Sequence, residues 1–252
     1  MTLANTFLLH KRTQRLRLDE GGHNEWEIQI VEEALPADRV AIVVCDMWDR
    51  HWSRGAAERV EELAPRVNTV LQAARQAGAW IIHAPSETMA FYEQSPARRR
   101  MQDLKPVKPP RSRKLPVPRL PIDDSDGGSD TNEPSWFSAW TRQHPAIEID
   151  EELDGISDNG REIYAFLRAY NIQQVLLAGV HTNMCILNRS FGIKQMVRWN
   201  VPIALIRDLT DAMYNPARPP YVSHAEGTRL VIEYIEKFWC PTITSADLCG
   251  VL

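Results

Sequence analysis

The chain has 252 residues, 44% of them hydrophobic, enough for one large domain with a sizeable core. Its 29 Lys and Arg against 33 Asp and Glu give a net charge of -4, which excludes the basic footprint of a nucleic-acid binder. No run approaches the ~18 apolar residues of a membrane span, the N-terminal residues are in the wrong order for a secretory signal, and Cys45, Cys185, Cys240 and Cys249 form no CxxC pair, so no zinc and a reducing, cytoplasmic location are expected.

Residues 1–38 precede the first core strand. Thr6 to Leu18 alternates in part, Glu25 to Val31 sets Trp26, Ile28 and Ile30 against polar neighbours, and Gly21-Gly22-His23-Asn24 between them is turn chemistry. This predicts an antiparallel hairpin packed on the domain or on a partner subunit. Val40 to Cys45 is a buried strand ending in Asp46, followed by Met47-Trp48-Asp49-Arg50-His51-Trp52, a loop dense in functional side chains. Glu58 to Gln76 is an amphipathic helix with Val60, Leu63, Val67, Val70 and Leu71 on one face, kinked or delayed by Pro65 and stopped by Gly78. Ala79 to His83 is the second strand. Met89, Phe91 and Tyr92 fall on a short helix near the strand ends, and Arg98-Arg99-Arg100 reads as its solvated end.

Six prolines between Lys105 and Pro121, then Asp123-Asp124-Ser125-Asp126-Gly127-Gly128, rule out a regular helix or central strand. Residues 101–135 are therefore read as an extended arm or lid, in preference to a ligand for an SH3-type domain. His144 to Ile149 is a candidate edge strand. Asn159 to Tyr170 is helical, with Ile163, Phe166 and Leu167 facing inward. Val175 to Ala178 is a second fully apolar strand. Gly179 ends it, and Thr182 and Asn183 are N-cap residues for a helix running through Ile186, Leu187, Phe191 and Ile193. Cys185 lands in the first turn of that helix. Helix N-termini favour anions and lower a thiol pKa, so Cys185 is a candidate nucleophile. Val201 to Ile206 is another strand, with Asp208 and Asp211 after it as capping or loop residues. Tyr221 to Phe238 is the last long helix, and Thr242 to Thr244 a short strand. Strands alternating with helices predict one domain, a parallel sheet covered on both faces.

Gly179-Val180-His181-Thr182-Asn183-Met184-Cys185 resembles the G-V-x-T-x-x-C signature of isochorismatase-like cysteine hydrolases, relatives of nicotinamidases and N-carbamoylsarcosine amidases. The apolar strand ending in Asp46 fits the same pattern. The resemblance implies a three-layer α/β sandwich with a mostly parallel central sheet (Rossmann-like), here with an N-terminal hairpin and a Pro-rich arm added. It implies Cys185 as nucleophile and Asp46 as base, an oxyanion hole from the backbone N–H groups of His181 and Cys185, and a cis Val180–His181 bond. It also implies a lysine, whose expected place here is Gly160. Arg161 is the nearest cation and the candidate stand-in, the alternatives being a lysine folded back from the long arm or an incomplete triad. Trp48, His51, Trp52, His83, Met89 and Tyr92 are the expected pocket walls. Some relatives hold a metal through Asp and His, which Asp49, His51 and His83 could supply, but no metal or other cofactor is expected.

The resulting expectation is a hydrolase that cleaves a small amide, carbamoyl or ureido substrate through a thioester, working as a homo-oligomer on a small molecule, with neither nucleic acid nor membrane as partner. The alternative is a catalytically impaired ligand-binding or assembly protein on the same scaffold, prompted by the missing lysine and the added segments.

Overall fold

The computed structural model describes residues 5–133 and 137–250. Pro134 and Ser135, at the end of the arm as read from sequence, lie outside the described residues. An eight-stranded sheet runs through the molecule. Its strands are β1 (Thr6–Leu18), β2 (Asn24–Pro36), β3 (Val40–Cys45), β4 (Trp80–Ala84), β5 (Gly155–Ile156), β6 (Gln174–Val180), β7 (Ile203–Asp211) and β8 (Thr242–Ile243), in the order β2-β1-β8-β7-β6-β3-β4-β5. From β8 to β5 every pairing is parallel. Strands β3 and β6 are buried along their whole length, which is why both read as unbroken apolar runs.

Two apolar layers flank the sheet. On one face α1 (Arg54–Ala77) lays Val60, Leu63, Val67 and Leu71 against Ile42, Val44, Leu176 and Ile206. The helix is capped by Ser53, whose hydroxyl accepts from the Ala56 N–H, so it starts four residues earlier than its periodicity suggests, and it runs on through Pro65. On the other face α3 (Gly160–Ala169) and α6 (His224–Phe238) bury Ile163, Phe166, Val231 and Ile235 against Val43, Val175 and Leu205.

The N-terminal hairpin is longer than its alternation implies, two 13-residue strands in register from Thr6↔Pro36 to Leu18↔Asn24. It joins the sheet through Arg12 opposite Thr242 and is anchored by the buried Glu236 carboxylate, which accepts from Arg12 and Gln14. Beyond that anchor Leu16, Leu18, Trp26, Ile28 and Ile30 stand exposed on one face.

Two expectations are corrected. Residues 144–149 form no strand: Pro145 cannot donate to a ladder, and the segment is folded on itself by the Ile147 N–H to His144 carbonyl bond. The sheet edge there is β5. Nor is the arginine run a solvated end. Within α2 (Pro96–Gln102), Arg98 is buried and pairs with Glu162, and Arg100 donates to the carbonyls of Glu151, Glu152 and Asp154. The Pro-rich arm has neither helix nor strand between Lys105 and Glu133. It is tied down by backbone bonds from Arg113 to Arg198 and from Asp123 to Pro219, and by the Tyr234 hydroxyl donating to the Pro118 carbonyl.

Candidate active site

Strands β3 and β6 lie side by side with Cys45 opposite Gly179, so Asp46 and the signature segment emerge at the same level of the sheet edge. Gly179 makes this approach possible. Its φ is +109°, and an added Cβ would sit 2.0 Å from the Cys45 carbonyl oxygen, a space no side chain can share. The next peptide, Val180–His181, is cis. Thr182 and Asn183 do not cap a helix. The Thr182 hydroxyl meets that of Thr210, while Asn183 clamps the segment to the loop after β7, accepting from the Met213 N–H and donating to the Met213 carbonyl.

The helix that follows is short. α4 covers Cys185–Asn188, the chain turns at Arg189 (φ -56°, ψ 158°), and a separate helix α5 covers Ile193–Arg198. Gly192, at the N-cap of α5, ends the apolar periodicity that suggested one continuous helix. This break lets the Arg189 side chain fold back across the sheet edge. Its Nε donates to Asp46 Oδ2 at 2.8 Å and its Nη1 to Glu87 Oε1 at 3.0 Å, and its guanidinium lies 5.8 Å over the Trp48 ring. The candidate stand-in, Arg161, is elsewhere: it is exposed and lines a separate groove with Gln195 and Trp199. The expected lysine position, Gly160, has no room for a side chain, since a Cβ there would meet the Ser190 carbonyl oxygen at 2.0 Å.

Asp46 is fully buried. Its Oδ1 accepts the Ser86 N–H at 2.8 Å, and the Cys185 thiol lies beside its carboxylate. Burial raises its pKa above the ordinary carboxylate value, and the Arg189 charge with these contacts pulls it part of the way back. The thiol departs from the sequence expectation. Burial, and then the Asp46 charge beside it, push the Cys185 pKa up, while Arg189 and the His181 N–H pull the other way. A four-residue helix supplies too little dipole to outweigh desolvation and a neighbouring anion. The thiol thus rests protonated beside Asp46, whose charged form Arg189 stabilises against burial. The Cys185 N–H heads α4 and has no intrahelical acceptor.

The thiol opens into a cavity of about 890 Å³. Trp48, His51 and Trp52 line it, joined by Trp140, which stacks on Trp48 at 4.2 Å between ring centres. His51 and His181 meet edge to face at 5.0 Å. Burial lowers their pKa values, to about 4 for His51 and about 3 for His181, so both rings are neutral. His83, Met89 and Tyr92 are not in this wall. His83 is buried between Gln143 and Asp154, and Met89 and Tyr92 pack on Ala97 and Ile156. Asp49 accepts from the Thr141 and Arg142 N–H groups, apart from both histidines' partners. Among the described residues no three His, Cys, Asp or Glu side chains are grouped to hold a metal.

Asp211 does more than cap a turn. At the end of β7 its carbonyl accepts the Thr182 N–H, and its carboxylate accepts from Arg59 at 2.9 Å and from His224 Nε2 at 3.0 Å. His224 Nδ1 lies 2.9 Å from the Tyr214 carbonyl, so both ring nitrogens face acceptors and the ring is an imidazolium. Burial alone would lower the His224 pKa, and the Asp211 carboxylate reverses it to a net rise. Arg59 also pairs with Asp130 of the arm, fastening the arm to the floor of the site.

The sequence missed Arg189, Trp140 and the arm's contribution. Arg189 carried one signal, a cation four residues after the candidate nucleophile.

The family model described as the isochorismatase domain matches residues 40–215. No curated protein matches the chain. Among solved structures it is similar to a cysteine hydrolase from Pseudomonas syringae pv. phaseolicola 1448A, with a TM-score of 0.52 and 17% identity over 85% of this chain and 92% of that one. It is also similar to an isochorismatase from Pseudomonas putida KT2440 (TM-score 0.49, 11% identity, 83% of this chain and 90% of that one). A third likeness is to an isochorismatase family protein from Burkholderia thailandensis (TM-score 0.47, 15% identity, 83% and 93%). At 17% identity the first likeness is one of fold.

Proposed function

The chain belongs to the isochorismatase family, and on that premise we propose that it is a cysteine hydrolase cleaving a small amide, carbamoyl or ureido substrate. The observation that carries this is the Cys185 thiol beside a buried Asp46 whose Oδ2 is held by Arg189.

The substrate carbonyl carbon sits against Cys185 Sγ. The sulfur attacks as its proton passes to Asp46, so the thiolate forms only as it is consumed. The carbonyl oxygen becomes an oxyanion, and the His181 and Cys185 N–H groups are the donors assigned to it in this reading. Collapse breaks the C–N bond, Asp46 returns the proton to the leaving nitrogen, and a thioester remains. Water then gives a proton to Asp46 and its hydroxide adds to the thioester carbon. Release of the acid restores the thiol. Arg189 is the positioning cation: it keeps Asp46 oriented and ionised in a site where burial favours the neutral acid.

The non-catalytic alternative was prompted by the absent lysine, and Arg189 on Asp46 weakens it. A panel of small amides and ureas with the wild type, Cys185→Ser and Asp46→Asn tests the proposal. Turnover confined to the wild type, with circular dichroism unchanged in both variants, is expected. Hydrolysis retained in Cys185→Ser would overturn it.

A further inference from the structure

Six charged side chains line the cavity: Glu87, Asp124, Asp126 and Glu133 against Arg189 and Lys194. Both cations are engaged. Arg189 is held between Asp46 and Glu87, and Lys194 donates to Asn188 Oδ1 and lies over the Trp239 ring. The three carboxylates from the arm are in a different state. Asp124 accepts from the Asn183 amide, Asp126 from the Gly128 N–H and the Asn215 amide, and Glu133 from the Ser129 and Thr131 hydroxyls and the Arg54 backbone N–H. All these donors are neutral, and among the described residues none of the three carboxylates has a Lys or Arg side chain within ion-pair distance, though Asp124 acts on the Lys194 charge from farther away. Their arm neighbours differ, with Asp123 paired to Arg218 and Asp130 to Arg59. Glu133 stays ionised: burial would raise its pKa, but the Ser129 and Thr131 hydroxyls and the Arg54 N–H hold it down at about 2.

Trp48, Trp52 and Trp140 line the same cavity, and this aromatic wall already holds one cation: Trp48, stacked on Trp140, carries the Arg189 guanidinium over its ring. An independent feature marks the same space as a ligand site. His181 is 2% exposed, lines the cavity, and its Nε2 has no partner. A buried polar atom of this kind is satisfied by a ligand.

Resting on the hydrolase reading, we propose that the site selects substrates carrying a positive charge on the part remote from the scissile carbonyl, such as an ammonium, amidinium or pyridinium group, and rejects those carrying a carboxylate there. The aromatic wall and the Asp126 and Glu133 carboxylates attract the cation. An anion would meet their repulsion, while Arg189 is taken up by Asp46 and Glu87, the Lys194 charge is offset by Asp124, and the two neutral histidines offer hydrogen bonds but no charge.

Binding to the Cys185→Ser protein tests this without turnover, by tryptophan fluorescence and calorimetry with three matched probes: benzamide, 1-methylpyridinium-3-carboxamide and 3-carboxybenzamide. The cationic probe is expected to bind about tenfold more tightly than the neutral one, and the anionic probe more weakly than either. Adding Asp126→Asn and Glu133→Gln is expected to remove most of that preference. Equal affinities, a preference for the anion, no binding of the cationic probe, or a preference unchanged by the two substitutions would overturn the inference. The hydrolase reading fails separately: selective binding of the cation with no hydrolysis of any amide by the wild type refutes hydrolysis and leaves the charge selection standing.

Discussion

Replacing Arg189 with alanine isolates the role of the relocated cation. Asp46 is fully buried and would keep only the Ser86 N–H and the Cys185 thiol as partners. Deleting one member of a buried ion pair costs about 3–5 kcal/mol. The Arg189 side chain is 26% exposed, so water enters the space it leaves, and the low end, about 3 kcal/mol, is expected. That is equivalent to raising the Asp46 pKa by about two pH units. The sign follows from proton binding. The folded pKa of Asp46 lies above its unfolded value, so the native state holds a proton that the unfolded chain releases. Stability from this group therefore falls as pH rises from the unfolded value through the folded one, and the variant's higher folded pKa widens the window. Urea unfolding should show a deficit for Arg189→Ala that is small in acid, where both proteins hold the proton, and grows as pH rises. In parallel, the acid limb of kcat/KM should move to higher pH, with a loss of up to about 100-fold below it, because more of the base is protonated. Arg189→Lys should restore most of the stability and less of the activity, since an ammonium lacks the fork that spans Asp46 and Glu87. A deficit independent of pH, or an acid limb that does not move, would refute the reasoning.

Three other outcomes follow. Alkylation of Cys185 should titrate above the ordinary thiol value of ~8.5. Asp46→Asn should lower that value by removing the adjacent charge, and a value below the reference in the wild type would contradict the geometry. His224 has a folded pKa above its unfolded value of ~6.5, so its stabilisation is complete below that pH and is lost as pH rises through the folded pKa. His224→Gln should abolish this part of the pH dependence in thermal melts, and an unchanged slope would count against the imidazolium. Gly179→Ala places a methyl against the Cys45 carbonyl at a positive φ, and a loss of about 3 kcal/mol or more in urea unfolding is expected.

The parts of this molecule legible in its sequence are those fixed by local pattern. Strands β3 and β6 are apolar throughout because both their faces are covered, and α1, α3 and α6 each carry one apolar face. Asp46 and Cys185 stood out because each follows such a strand. What stayed hidden depends on tertiary placement. Arg189 is 143 residues from Asp46 and reaches it only because α4 stops after one turn. The Cys185 pKa follows from burial that no sequence window reports, so a helix-start argument pointed the wrong way. His83 lies in β4 and Met89 and Tyr92 follow it, as the true pocket residues follow their strands, but all three make contacts away from the cavity wall.

The fit of Gly160 against Ser190 ties two distant stretches of chain together. The residue that keeps position 160 bare is the immediate neighbour of the arginine that serves Asp46, so a side chain at 160 would have to push aside the backbone that carries Arg189. A substitution at Gly160 would therefore reach the buried carboxylate through the position of its cation, without touching Asp46 itself.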